Sequence, residues 1–223
     1  MNKVTELYIS CDVETDGPVP GLNSMLSLGA AAIGWDDVKK QWEQSHRFSA
    51  NLVNLHGANM DGSTWKFWQA NPEAYAAATE NQIEAWEAMT AFQNWLKEVR
   101  ADWNRRPVAV GAPAVFDLAF VRYYMIRFLG TDAPFGHSGY DTKSVAATLL
   151  KQDYYDSGKS SYPKEWFDDN HKHTHIAVED AIEQAYIWSH IVDASEAYYR
   201  RAKFEPKIPI QPPPRKSTHL RMQ

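Results

Sequence analysis

Four acids and one histidine in this sequence have the types and spacing for hydrolytic chemistry: Asp12 and Glu14 in "CDVET", Asp117 in "VFDLAF", Asp180 in "HIAVEDAIEQ", and His175 just ahead of Asp180. Leu7, Ile9, Cys11 and Val13 alternate with Tyr8, Ser10, Asp12 and Glu14, a two-residue period that sends both carboxylates out of one side of a strand. Two such charges repel each other. Either the strand is emerging into solvent or something strongly positive sits between them. Asp117 follows a short apolar run at the start of a helix, where the macrodipole favours an anion, so alone it reads as a helix-terminus acid. Asp180 sits among Ala177, Val178, Ala181 and Ile182, on the apolar side of a helix that turns Glu179 outward. A buried cluster of these acids would protonate or unfold its site unless a cation offset the repulsion. Mg²⁺ or Mn²⁺ meets that need, because each takes carboxylate and water oxygens and keeps positions for substrate phosphates. Two such ions about 4 Å apart can support attack of water on a phosphodiester and stabilise the departing oxygen. That reaction needs a base. His175 is about 140° from Asp180 on an ideal helix, which places it in the first turn or just before it, where a neutral imidazole could take a proton. His171, His173 and His175 also permit a zinc site, although the trio lacks a cysteine partner and the i, i+4 pairing of helical zinc sites. A solvated histidine cluster is the other reading of His171 and His173.

The elements that would position these residues can be read along the chain. After the first strand, "GPVPGLNS" is a breaker-rich loop; "MLSLGAAAIGW" and "QWEQSHRFSANLV" read as two strands joined near Asp36-Asp37. Helical signals begin at Ser63-Thr64 as caps before "WKFWQA" and strengthen over residues 82–100, where Ile83, Trp86, Met89 or Thr90, Trp95, Leu96 and Val99 recur near helical spacing. "RPVAVGA" reads as a buried strand and "FDLAFVRYYMIRFLG" as a helix stopped by Gly130. A further helix runs over residues 142–150 behind Asp141 or Thr142, and the last starts near Thr174. Residues 151–173 are too long for a routine connector and suggest a mobile flap or binding loop. Strands first and alternating helix and strand afterwards predict an α/β or α+β layered domain with a mixed sheet, three antiparallel strands plus parallel strands, flanked by helices. Ligands in such sheets gather at the carboxyl ends of strands, where Asp12 and Glu14 lie.

Composition narrows the classes. A chain of 223 residues, 44% hydrophobic, suits one large domain, expected over residues 1–203 with a proline-rich basic tail at 204–223. One cysteine, Cys11, cannot form an internal disulfide, which favours a reducing compartment. The N-terminus lacks a signal-peptide apolar block and no stretch approaches the ~18 apolar residues of a membrane span, so the expected location is cytoplasmic. A net charge of −5 argues against a protein that coats long polyanions, but leaves room for a local nucleic-acid site that recruits divalent cations.

Taken together, the motifs resemble the DEDDh branch of the DEDD-type 3′→5′ exonuclease superfamily, which has a ribonuclease H-like fold and includes polymerase proofreading subunits, ribonuclease T and oligoribonuclease. D-x-E-T stands as Asp12-Val13-Glu14-Thr15, the Phe-Asp pair as Phe116-Asp117, and H-x-A-x-x-D as His175 through Asp180. The resemblance implies a metal-dependent enzyme that shortens single-stranded DNA or RNA from the 3′ end and releases nucleoside monophosphates. It implies that Asp12, Glu14 and Asp180 hold one Mg²⁺ or Mn²⁺ ion, that Asp12 bridges to a second which Asp117 supports largely through water, and that His175 is the general base. Thr15 and Phe116 are the expected contacts to the terminal nucleotide, with Met25 or Leu28 as a wedge against the last base. Met25 and Leu28 read equally well as strand core. Trp65, Phe67 and Trp68 offer aromatic faces for stacking, against the alternative that they are core. Lys159 and Lys164 read as solvated loop residues or phosphate contacts. Pro113 stands where the family often has an asparagine, and proline offers neither that amide nor a backbone donor. The expected partners are a single-stranded 3′ end and no membrane, with a homodimer or a protein partner on the tail as further expectations. A non-catalytic nucleic-acid-binding module or a partner-docked proofreading subunit is the alternative reading.

Overall fold

The alternating strand Glu6–Thr15 (β1) lies at the centre of a five-stranded sheet with the order β3-β2-β1-β4-β5 in the computed structural model, which describes residues 6–168 and 174–201. β1 pairs antiparallel with Met25–Asp36 (β2), which pairs antiparallel with Gln41–Asn51 (β3). On its other edge β1 runs parallel to Arg106–Gly111 (β4), which is followed by the short Gly139–Asp141 (β5). This is the mixed sheet that the sequence predicts; β5 is too short to carry a periodic signal of its own.

The two-residue period of β1 separates two cores. Leu7, Ile9, Cys11 and Val13 pack with Leu28, Phe92, Leu96, Phe120 and Tyr124 against the helices Ala85–Trp103 (α3) and Ala114–Leu129 (α4). Numbering the others in chain order, Gly62–Ala70 is α1, Pro72–Thr79 α2, Thr142–Leu150 α5 and Ala177–Arg201 α6. Tyr8 faces the opposite way, into a cluster with Ala31, Ile33, Val110, Ile182 and Trp188 beneath α5 and α6. Each large apolar side chain fully buried in these clusters contributes roughly 1.5–3 kcal/mol. Tyr124 is buried, and its hydroxyl accepts the Met25 N–H at 2.7 Å.

The site-bearing helices are drawn close to the sheet by small residues and polar ties. Gly29 of β2 lies opposite Asp12 in the ladder, and a Cβ there would stand 2.1 Å from the Ala177 carbonyl. Only glycine lets the start of α6 rest on the sheet backbone beside Asp12. Farther along α6, the buried Gln184 amide donates to the carbonyls of Val110 at 3.1 Å and Cys11 at 3.4 Å. The helix side-chain amide and the strand carbonyls thus replace water for one another.

Several elements differ from the sequence expectation for identifiable reasons. α1 is capped by Asp61, whose carboxylate accepts the N–H groups of Ser63 and Thr64 at 2.9 Å, so the helix starts before the Ser63-Thr64 pair expected as its cap. α3 starts at Ala85, and its buried stripe is Ala85, Ala88, Met89, Phe92, Leu96 and Val99. Ile83 forms a bridge with Leu52, while Trp86 points outward at 57% exposure. α4 ends where expected, with Gly130 in the left-handed region, and Asp141 caps α5 through the Ser144 N–H at 2.7 Å. α6 begins at Ala177, three residues later than Thr174. Residues 151–168, expected as a mobile flap or binding loop, form a packed strap of three short turns and not a loose flap: Tyr162 and Trp166 are buried under α6 and Ser157 is fully buried. His171, His173, the division at residue 203 and the 204–223 tail lie outside the described residues. Among the described residues no helix is long and apolar enough to cross a membrane.

Candidate active site

The site forms where the C-terminal end of β1 meets the N-termini of two helices. Asp12 and Glu14 leave β1 on its α6 side, Asp180 lies in the first turn of α6, and Asp117 in the first turn of α4. Helix N-termini favour anions there. Asp117 and Asp180 are 3% and 2% exposed, whereas Asp12 and Glu14 are half-buried. β4 stops at Gly111, and the Asp117 carboxylate accepts the Ala112 N–H at 3.0 Å and the Val13 N–H as well. In this way a carboxylate completes the edge of β1 that β4 leaves open. The Asp180 carboxylate accepts the Thr174 N–H at 3.2 Å.

The acids act on one another. Burial, and then the charges of Asp117, Glu14 and Asp180, hold the Asp12 carboxyl well above the usual carboxylate range. Glu14 is pushed up to about 8 by burial and by Asp180 and Asp117. Burial raises Asp117 to about 7, against the opposing pull of its two backbone hydrogen bonds and of Lys159. Lys159 comes from the strap, where its ammonium pairs at 2.5 Å with Glu183, a 7% exposed side chain one turn along α6 from Asp180. One lysine does not balance this many carboxylates, so the proton is retained instead.

His175 joins the acids from the approach to α6. Ligand atoms of Glu14, His175 and Asp180 lie within 4.8 Å of one another. The histidine backbone has φ +56°, in the left-handed region, and its ring meets that of Phe67 edge-to-face at 5.0 Å and 89°. The donor set fits a hard divalent cation, since it is dominated by carboxylate oxygens that repel one another in the absence of added positive charge.

Beside the acids opens a cleft of about 320 Å³ walled by Glu14, Thr15, Ser63, Thr64, Phe67 and Phe116, among others. Trp68 closes its floor and donates its indole N–H to the Thr15 carbonyl at 3.0 Å. A second cavity of about 280 Å³ lies between α4 and the 132–139 loop, but its acid, Asp132, is already paired with Arg122 at 2.9 Å.

A family described as the 3′-5′ exoribonuclease Rv2179c-like domain matches residues 8–192, most of the chain, and spans all the residues of this site. The chain belongs to that family. It is a 3′→5′ exonuclease, a hydrolase by class. Within the Rv2179c-like family frame, it is 33% identical over 144 residues to the 3′-5′ DNA exonuclease Cap18 of Escherichia coli, covering 63% of this chain and 67% of that protein. Its fold is that of DEDDh nucleases. It superposes with TM-score 0.65 at 8% identity on the nuclease domain of 3′hExo, a DEDDh family member bound to rAMP, covering 86% of this chain and 94% of that one. S. pombe Pop2p in its Mg²⁺- and Mn²⁺-bound form gives 0.56 at 13% identity, over 82% of each chain.

The structure brings Asp12, Glu14, Asp117, His175 and Asp180 to one place and puts Thr15 and Phe116 on the adjoining cleft. Of the aromatic faces offered for stacking it brings Phe67 and Trp68 there, but not Trp65, and it does not bring Met25 or Leu28. Met25 and Leu28 are fully buried in the core with α3 and α4, so neither offers a wedge to a base. Trp65 packs edge-on against Tyr75, away from the cleft wall. Thr64, Phe67 and Trp68 share the i, i+3, i+4 face that meets the cleft, and a helix phase counted from the Asp61 cap would have selected Phe67 instead of Trp65. Nothing in the local sequence marks the Lys159–Glu183 pair, which exists only because the strap folds back on α6.

Proposed function

We propose that the protein releases nucleoside 5′-monophosphates one at a time from the free 3′ end of single-stranded RNA or DNA. Asp12, Glu14, Asp117 and Asp180 hold two Mg²⁺ or Mn²⁺ ions, and His175 is the general base. The observation that carries this reading is the convergence of four mutually repelling carboxylates with an imidazole at the mouth of a cleft. A protein that only bound nucleic acid would gain nothing from so costly a cluster. The family description names RNA and the E. coli relative's name DNA, so the proposal takes both sugars.

When bound, such ions cancel the carboxylate charge and draw electron density from the scissile phosphate. The chain's own residues supply the rest. Phe67 and Phe116 flank the terminal base, and Thr15 lies along the sugar. His175 accepts the proton of the attacking water as its oxygen bonds to phosphorus. The P–O3′ bond breaks, and the departing 3′-oxygen of the shortened strand takes a proton from solvent. The test is to incubate 5′-labelled DNA and RNA oligonucleotides with Mg²⁺, Mn²⁺ or a chelator. A ladder that shortens one nucleotide at a time and vanishes with chelator is expected; internal cuts as first products would reject the reading.

A further inference from the structure

We infer that Phe67 is a positioning residue that sets the imidazole of His175 and couples its orientation to the filling of the cleft by the terminal nucleobase. The inference rests on the reading of His175 as the base and goes beyond it. His175 occupies the left-handed backbone region at φ +56°, uncommon for a residue with a Cβ, as it approaches α6. The Phe67 ring packs on its imidazole, perpendicular at 89° with centroids 5.0 Å apart, the edge-to-face geometry that aromatic pairs prefer.

Phe67 is itself referenced to the strand that bears the acids. At the start of α1, the Asp61 N–H donates to the Asp16 carbonyl at 2.7 Å. One residue past Phe67, the Trp68 indole donates to the Thr15 carbonyl at 3.0 Å. These two ties reach the two residues that follow Glu14, so α1 cannot shift against the carboxylates without breaking one of them. Asp16 is in turn immobilised, fully buried and accepting the Ser24 N–H at 2.5 Å. Phe67 thus transmits a fixed distance from β1 to the His175 ring on the approach to α6.

The same ring is 37% exposed and forms part of the cleft wall, as does Phe116. A base that enters the cleft presses on Phe67, and Phe67 bears on His175. A chain terminus that lacks a base leaves the ring unsupported. Recognition of a complete nucleotide and placement of the general base are therefore one event, which discriminates against termini that fill the cleft poorly.

A double-mutant cycle on the full-length protein tests this, with single-turnover rates on a 5′-labelled oligonucleotide at saturating Mn²⁺. Phe67→Ala is expected to lower kcat roughly 10- to 30-fold with less than about a 3-fold change in KM, and Phe67→Tyr, which keeps the ring, to restore most of the rate. In a His175→Ala background the same Phe67→Ala change should cost less than about 2-fold, because the residue it positions is gone. An oligonucleotide ending in an abasic sugar should react slowly with the wild type and lose little more with Phe67→Ala. Equal losses from Phe67→Ala in both backgrounds, or a change confined to KM, would overturn the positioning role and leave a plain stacking residue. A His175→Ala variant that retains near wild-type rate would instead reject His175 as the base, whatever Phe67 does.

Discussion

Asp12→Asn is expected to lower kcat/KM with Mg²⁺ by about 10³–10⁴-fold while raising the stability of the metal-free protein at pH 8. The two effects have one cause. Asp12 feels Asp117, Glu14 and Asp180 together, more of the cluster than any other acid whose balance of charges is resolved, and its carboxyl is held well above the usual range by burial and by those three charges. The amide keeps the shape and removes the charge. On the proposed reading Asp12 would be shared by both ions, and its loss would remove transition-state stabilisation of about 4–5.5 kcal/mol, which at 1.36 kcal/mol per decade gives the stated loss. Repulsion within the remaining acids falls at the same time, so urea unfolding in chelator should show a higher midpoint for the variant than for the wild type. Equal or lower stability would mean that Asp12 does not share a pocket with the others.

The second large effect is a dependence of apo stability on pH that runs opposite to that of ordinary salt-bridged acids. Glu14 is raised to about 8 and Asp117 to about 7 in the folded protein, whereas in the unfolded chain such groups titrate near about 4. Between those values the folded state binds more protons than the unfolded one, and stability therefore falls as pH rises. The contribution is intact below about pH 4 and is lost progressively up to about pH 8, where the folded carboxylates ionise. With coupling among the acids, the loss between pH 5 and pH 8 in chelator should be on the order of 2–5 kcal/mol. Saturating Mn²⁺ at pH 8 should recover most of it, since a ligand at 100 times its Kd adds about 2.7 kcal/mol. An apo protein more stable at pH 8 than at pH 5 would contradict the buried cluster.

How much of this was legible in the sequence depends on how local each cause is. Asp12 and Glu14 could be placed on one face because the alternation through Leu7, Ile9, Cys11 and Val13 is a property of one strand. Asp117 and Asp180 could be placed because each lies in the first turn of its own helix. Trp65 could not be separated from Phe67 and Trp68 because the phase of α1 depends on a cap at Asp61, one residue outside the helix. Met25 and Leu28 were ambiguous because β2 is covered on both faces, so its burial pattern lacks the alternation that tells wall from core. The strap could not be read as packed, since its polar sequence is held by Tyr162 and Trp166 finding a cluster built from five other elements. Gly29 carried a signal that only the helix crossing explains: a strand otherwise rich in alanine and leucine gives way where α6 touches it.

The most direct test of a cation-holding pocket is anomalous diffraction from crystals grown without chelator and soaked in manganese. The account predicts two peaks about 4 Å apart, one among Asp12, Glu14 and Asp180 and the other between Asp12 and Asp117. A map with no manganese at these side chains, in crystals where they remain ordered, would contradict it.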